Sequence, residues 1–513
     1  MEFILMERGK VKPAARRYPF ANLVRDNWDD QGYQTSFFLE VHTEDRRTIQ
    51  VGVVKILRLD QREGPTEVPR YFEGSLSDQY CSLGQNLAYY ETLRALGPNI
   101  YQPVLRGLRD VVYQPEVRTA FSQHPGFSAS LVLRGSSARA LEDAVDLFQR
   151  TGEPSPEGAG RILSLSFRSN VGGSEFDIPL RFNDTDLLPS RINAVIGYNG
   201  TGKTQLLANL AMVAHADFAL RADPIFSRRF GTFVENTDVP FGSVISVSYS
   251  AFDTFEVPGR TAQDREYIRR SGDVRGYSYC GLRSFDHDEP EPHRLKGIAE
   301  ISREFAETLS RVSTGPSREI VDDALECVAQ DASFQRLGFT PEQVHQSDFV
   351  LDIFPSLSTG HKIVLNIIVQ LSAHLQRRSL VLIDEPESHL HPPLLAALLR
   401  SISILLERRD SFAVVATHAP VVIQEIPKKY VRVLRRFESV TLVEDPEIET
   451  FGENVGILTR QVFNLDSSAT DYQGVLRSLA ENFTLAEIES LFDAGLSVQA
   501  RSYVVSIQKA RRG

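Results

Sequence analysis

The stretch Ile192-Asn193-Ala194-Val195-Ile196-Gly197-Tyr198-Asn199-Gly200-Thr201-Gly202-Lys203-Thr204-Gln205 decides how the rest of the chain is read. An apolar strand runs into a glycine-rich loop and out into a helix-forming run, Gln205 to Ala214. Gly197, Gly202, Lys203 and Thr204 fall at the spacing GxxxxGK[ST]. Such glycines let successive backbone N–H groups curl around phosphate oxygens, while the lysine reaches the β- and γ-phosphates and the threonine hydroxyl binds Mg2+. The following helix directs its N-terminal dipole at the same phosphates. The candidate nucleotide-binding residues here are Asn199, Gly200, Thr201, Gly202, Lys203, Thr204 and Gln205.

Outward from this loop, three more segments carry chemistry. Ser379-Leu380-Val381-Leu382-Ile383-Asp384-Glu385-Pro386 reads as a buried parallel strand that delivers a carboxylate to its C-terminal edge, where open α/β sheets place their ligands. Asp384 is placed to hold the Mg2+ shell and Glu385 to polarise an attacking water as general base. Leu357-Ser358-Thr359-Gly360-His361-Lys362 opens an amphipathic helix with apolar positions at Ile363, Ile367, Leu371 and Leu375. A Ser-x-Gly turn there is either a second anion site or a simple N-cap. Ala413-Val414-Val415-Ala416-Thr417-His418-Ala419-Pro420 is a further apolar strand ending in a histidine, and its order and spacing after Glu385 point to a γ-phosphate sensor.

Phosphate loop, LSTGHK, LIDEPESHLHP and ATHAP, in this order, resemble the ABC ATPase superfamily. More narrowly they resemble its soluble branch of overcoming-lysogenization-defect, RecF and SMC-like proteins. The resemblance covers roughly residues 160 to 460. It implies a head-to-tail homodimer in which Ser358 and Gly360 of one protomer cap the nucleotide on its partner's phosphate loop. It also implies that His418 acts in cis on the γ-phosphate, with ATP and Mg2+ as the ligands. The expected catalytic residues are Lys203, Glu385 and His418, and the expected metal ligands Thr204 and Asp384.

The chain departs from the pattern in places. His361 stands where the signature usually has Gln, Glu or another polar residue. After the strand Ser243–Ser248, where a glutamine often reaches Mg2+, the sequence reads Tyr249-Ser250-Ala251-Phe252-Asp253, so Ser250 or Asp253 takes that role. His389 and His391 read as capping and packing residues, with no third metal ligand nearby.

The fold class expected is α/β: an ABC-type core over 156–460 with an inserted helical arm at about 255–345. A smaller α+β domain over 1–155 precedes it and a helical segment over 461–513 follows. Thr151 to Gly158 is a Pro/Gly/Ser-rich linker. Strands are predicted at Ser36–His42 and Thr48–Val54, and helices at Leu83–Leu96 and Ala138–Arg150. The arm lacks heptads and is too short for an SMC-like coiled coil. Of 513 residues, 42% are apolar and 24% charged, as in a soluble globular protein. No signal peptide is expected from the short apolar run at the start, no apolar run is long enough to span a membrane, and Cys81, Cys280 and Cys327 form no CxxC pair. A cytoplasmic location follows as the expectation.

A net charge of −11 gives no support to a DNA-coating protein, though it does not exclude a local basic groove. Two roles follow from the resemblance. One is an anti-phage ATPase of the Septu or retron-linked kind that holds a separately encoded nuclease or toxin effector. The other is a RecF-like ATPase that clamps duplex DNA, with Arg228, Arg229, Arg269, Arg270 and Arg275 as groove candidates. A nuclease constellation is not evident, since Glu444-Asp445, Asp466 and Asp286-x-Asp288 do not assemble into one.

Overall fold

The computed structural model describes residues 1–6, 17–133, 162–183, 188–216, 218–234, 241–250, 255, 276–284, 294–314, 317–346, 349–462 and 471–510, with 137, 140–141, 144–145 and 147–148 between them. The alternating N-terminal segments build a six-stranded sheet from β1 (Glu2–Met6), β2 (Phe20–Arg25), β4 (Ser36–His42), β5 (Thr48–Arg58), β7 (Tyr71–Glu73) and β8 (Tyr80–Gly84). Its order is β7-β1-β2-β4-β5-β8, while β3 (Tyr33–Gln34) and β6 (Gly64–Pro65) pair beside it. Of the tyrosines in this unit, Tyr89 and Tyr90 are fully buried and Tyr71 is exposed.

The helix expected over Leu83–Leu96 starts later than its periodicity suggests. Tyr80–Gly84 is a wholly buried strand, and the helix is Leu87–Ala95, opened by Asn86 whose side chain accepts from the Tyr89 N–H. A side chain at Gly84 would lie 2.2 Å from the Tyr89 ring, so glycine is what lets this strand and the first helical turn close on each other.

Next come β9 (Ile162–Ser169) and β10 (Phe176–Asn183), an antiparallel hairpin joined by β12 (Thr232–Phe233). The main sheet has seven strands: β11 (Ile192–Gly197), β13 (Val244–Ser248), β14 (Tyr277–Gly281), β15 (Leu380–Asp384), β16 (Phe412–Thr417), β17 (Val431–Phe437) and β18 (Val440–Glu444). They lie in the order β14-β13-β15-β16-β11-β17-β18, parallel throughout except for β18. Their near-continuous apolar runs follow from burial of both faces. Val381 and Ile383 of β15 join one core with helices Ile298–Thr314, Arg318–Ala329, Thr359–His374 and Pro392–Arg408. Leu380 and Leu382 point into the other, with helix Lys203–His215 and the β9–β10 hairpin. The fold class is α/β.

The 255–345 stretch is less separate than an inserted arm. Its β14 is the edge strand of the main sheet, and Phe305, Leu309, Val321 and Leu325 are buried in the main core. Burial of their apolar stripes is what draws these helices onto the sheet. The C-terminal helices Asp471–Asn482, Leu485–Ser490 and Val498–Ala510 hold a small cluster of their own, Leu476, Ala480, Ile488 and Val504. Among the described residues, no helix is long and apolar enough to cross a membrane.

Candidate active site

Strand order places the chemistry. β16 lies between β11 and β15, and register sets Ile196 beside Thr417 and Asp384 beside Ala416. The phosphate loop, the carboxylates and His418 therefore emerge side by side at the C-terminal edge of the sheet.

At the end of β11 the loop turns on its glycines. A Cβ at Gly197 would meet Leu434 O and Thr201 Oγ1, each at 2.8 Å. Gly200 (φ +84°) and Gly202 (φ +90°) adopt left-handed conformations that L side chains resist. Gly202 is the N-cap of helix Lys203–His215. Thr201 Oγ1 donates to Tyr198 O at 2.9 Å, closing the loop on itself, while Asn199 and Gly200 stay exposed. Gln205 is exposed and donates to Asn209 Oδ1 at 2.8 Å.

The buried Lys203 ammonium donates to Gly197 O at 2.9 Å and Tyr198 O at 3.2 Å, across the mouth of the loop. Burial pushes its pKa below the ordinary lysine value, and the charges of Glu385, Asp384 and Glu387 work in the opposite direction. Thr204 Oγ1 donates to Asp384 Oδ2 at 2.8 Å, which joins the first turn of the helix to the end of β15. A hydroxyl and a carboxylate so paired form the oxygen donor set that Mg2+ takes, and N–H groups and an ammonium suit phosphate. The residues present thus fit both ligands.

Glu385 has φ +45°, a left-handed glutamate held by its N–H donating to Ala416 O at 2.9 Å. Such a conformation costs roughly 1–3 kcal/mol and persists where the surroundings enforce it. Its Oε1 is 3.4 Å from His418 Nδ1.

A residue that the sequence reading passed over organises this corner. Glu387 Oε1 accepts from Thr417 Oγ1 at 2.7 Å and from the His418 N–H at 2.8 Å, and lies 3.1 Å from His418 Nδ1. One carboxylate oxygen thereby fixes both the backbone and the ring of His418. The side chain of Glu387 is 10% exposed, and its Oε2 has no partner among the described residues. Its signal was a third acidic residue, two beyond Glu385, in a run otherwise read as a family signature.

Ser358 and Gly360 contact other groups. Ser358 is the N-cap of helix Thr359–His374, and a Cβ at Gly360 would come 3.1 Å from His389 O. His391 caps helix Pro392–Arg408, its Nδ1 accepting from the Leu394 N–H at 3.2 Å. Among the described residues no cluster of three or more His, Cys, Asp or Glu could hold a metal. Of the two candidates after β13, Ser250 is half-buried and Asp253 lies outside the described residues, as do Arg269, Arg270 and Arg275.

Residues 342–424, which carry the signature turn, both carboxylates and His418, match the family model described as "AAA domain, putative AbiEii toxin, Type IV TA system". Among solved structures, the chain is similar to the ADP conformation of MJ1267, an ATP-binding cassette of an ABC transporter, at 10% identity over 56% of this chain and 93% of that one, TM-score 0.27. It is also similar to the SMC head domain from Thermotoga maritima, at 13% identity over 56% and 100% of the two chains, TM-score 0.26. Protein ea59 of Escherichia phage lambda is 30% identical over 534 residues, spanning 98% of this chain and 97% of that protein. With this identity across nearly the whole of both chains, the chain belongs to the family of phage lambda Protein ea59.

Proposed function

We propose that the protein hydrolyses ATP at composite sites formed when two copies pair head-to-tail. The observation that carries this reading is the Glu385–His418–Glu387 corner beside the Thr204–Asp384 pair, at one sheet edge. Residues 199–205 cradle the triphosphate, with Lys203 set against its β- and γ-phosphates. Thr204 and Asp384 hold Mg2+, which when bound neutralises charge on the phosphate oxygens. Glu385 accepts the proton of the attacking water, and His418, its ring fixed by Glu387, faces the γ-phosphate in cis. Ser358 and Gly360 act on the nucleotide of the partner copy.

The resemblance extends this cycle to control of a separately encoded nuclease or toxin effector in anti-phage defence. Full-length likeness to a phage-encoded protein supports a role in infection. One preparation tests both levels. Glu385→Gln protein with ATP and Mg2+ is expected to trap a dimer on sedimentation, and Ser358→Arg in that background to bind ATP as a monomer. A monomeric Glu385→Gln protein overturns the composite site. Pull-down of the trapped dimer from its native cells is expected to retain a stoichiometric effector. Duplex DNA in its place moves the role to the RecF-like clamp.

A further inference from the structure

The signature serine is wired to a neighbouring helix through a histidine. Ser358 Oγ lies 2.9 Å from His361 Nδ1, and His361 Nε2 lies 2.9 Å from Ser333 Oγ. The Ser333 hydroxyl donates to Asp331 Oδ1, and the Ser333 N–H donates to the same oxygen at 2.8 Å. Phe334, fully buried, presses edge-on to the imidazole with ring centroids 4.5 Å apart. A continuous chain of polar contacts thus runs from a buried carboxylate to an exposed hydroxyl, with a titratable ring in its middle.

Counting protons along this chain gives it two states. Asp331 is held below the usual carboxylate range, the Ser333 hydrogen bonds outweighing burial, so it is ionised and takes the Ser333 hydroxyl proton. Ser333 Oγ is then left as an acceptor, which fixes Nε2 of His361 as the N–H. In a neutral imidazole Nδ1 is consequently bare, and the Ser358 hydroxyl donates its only proton inward to it. Toward solvent such a serine presents lone pairs alone, which repel a phosphate oxygen. In the imidazolium both ring nitrogens donate, Ser358 Oγ accepts from Nδ1–H, and its hydroxyl proton turns outward.

We propose that His361 is a positioning residue that directs the Ser358 hydroxyl, and that its protonation sets this hydroxyl to donate to the terminal phosphate of the nucleotide held by the partner copy. The proposal rests on the composite-site reading above. Three charged or titratable neighbours bear on the ring. Asp331, the N-cap of the short helix Ala332–Arg336, favours the imidazolium; His391, capping helix Pro392–Arg408, opposes it. Lys362, next in the chain, turns its ammonium away to Pro355 O at 2.7 Å. Burial holds the imidazole below its ordinary pKa, so His361 of the free protein is neutral at pH 7 and docking of the anionic partner site takes up a proton.

The test is the pH dependence of ATP-driven self-association between pH 6 and 8, read by sedimentation in the Glu385→Gln background with ATP and Mg2+. Association is expected to tighten as pH falls, by up to tenfold per unit for each composite site, the factor that one proton taken up per site brings. His361→Gln is expected to flatten that slope while retaining ATP binding by the single protomer. Ser358→Ala is expected to lose both the slope and most of the association. A slope that persists in His361→Gln overturns the proposal and assigns the proton to His391 or the nucleotide. Absence of ATP-dependent association at every pH overturns the composite site itself. Should His361→Gln fold poorly, as thermal melting would reveal, Ser333→Ala keeps the imidazole and is expected to shift the midpoint of the pH profile. An unshifted midpoint there also overturns the relay.

Discussion

Glu387 shows what a single carboxylate does when two donors and an imidazole converge on it. Thr417 Oγ1, the His418 N–H and the His418 ring all meet Oε1. Glu387→Gln keeps an acceptor there but removes the charge that lies 3.1 Å from the imidazole Nδ1. It also puts an amide nitrogen where Oε2 now has no partner among the described residues. Outer partners that orient metal-ligating histidines are typically worth about 10- to 100-fold in affinity or activity, and orienting His418 calls on the same fixing of a ring by a carboxylate. Steady-state ATPase assays should therefore show kcat lowered by on the order of tenfold, with KM for ATP nearly unchanged and an intact thermal transition. A fall in KM alone would contradict the positioning role. The residue was hard to see in sequence because its partners are Thr417 and His418, 30 and 31 positions on. Lys203, Asp384 and Glu385 were legible for the opposite reason, since their spacing to neighbouring glycines and apolar strands is local. Likewise His361 stood out only as a departure, and Ser333, 28 residues upstream, carried no mark at all.

Among the elements, the phosphate loop and the β9–β10 hairpin constrain each other. Gly202 has φ +90°, and a Cβ there would sit 2.4 Å from Val171 Cγ1. Arg436 and Thr441 hold the same hairpin turn through the carbonyls of Gly172 and Val171. Gly202→Ala is expected to abolish nucleotide binding measured by titration calorimetry, with strain of roughly 1–3 kcal/mol. Adding Val171→Ala removes the contact and leaves the backbone penalty, so partial recovery in the double variant separates the two causes. Strands such as Ile192–Gly197 and Leu380–Asp384 were readable because an apolar run bounded by glycine or a carboxylate has few other meanings. By contrast, β14 was read as part of an arm. A five-residue strand, YSYCG, at the sheet edge shows no strong alternation, and only pairing with β13 defines it.

In the whole molecule, titration reaches stability through the N-terminal unit. Asp110 is fully buried, and burial pushes its pKa from 3.8 up to about 7 against the hydrogen bonds from Tyr90, Tyr113 and Val112. The folded chain therefore holds a proton that the unfolded chain releases. Its contribution is complete below pH about 4 and declines as pH rises through about 7, by at most ~1.4 kcal/mol per unit. Trp28, the only tryptophan, is buried in the same unit, so its fluorescence reports that unit's melting. Between pH 5 and 7.5 the transition seen at Trp28 should fall in temperature, and Asp110→Asn should remove that slope. A transition equally pH-dependent in the variant would place the titrating group elsewhere.

β16 has one further consequence. Every residue from Phe412 to Thr417 is buried, and both edges are hydrogen-bonded to parallel neighbours. Slippage by one residue would move its whole side-chain set to the opposite face, so the register that sets Asp384 beside Ala416 and Ile196 beside Thr417 is strongly specified. At its tip His418 leads into helix Pro420–Gln424, and that helix packs on Val455–Gln461 and ties Gln424 to Glu453 O at 2.7 Å. Val422, Ile423 and Leu458 of these two helices are buried in the same core as Val415 of β16, so any displacement at His418 is felt on that side of the sheet.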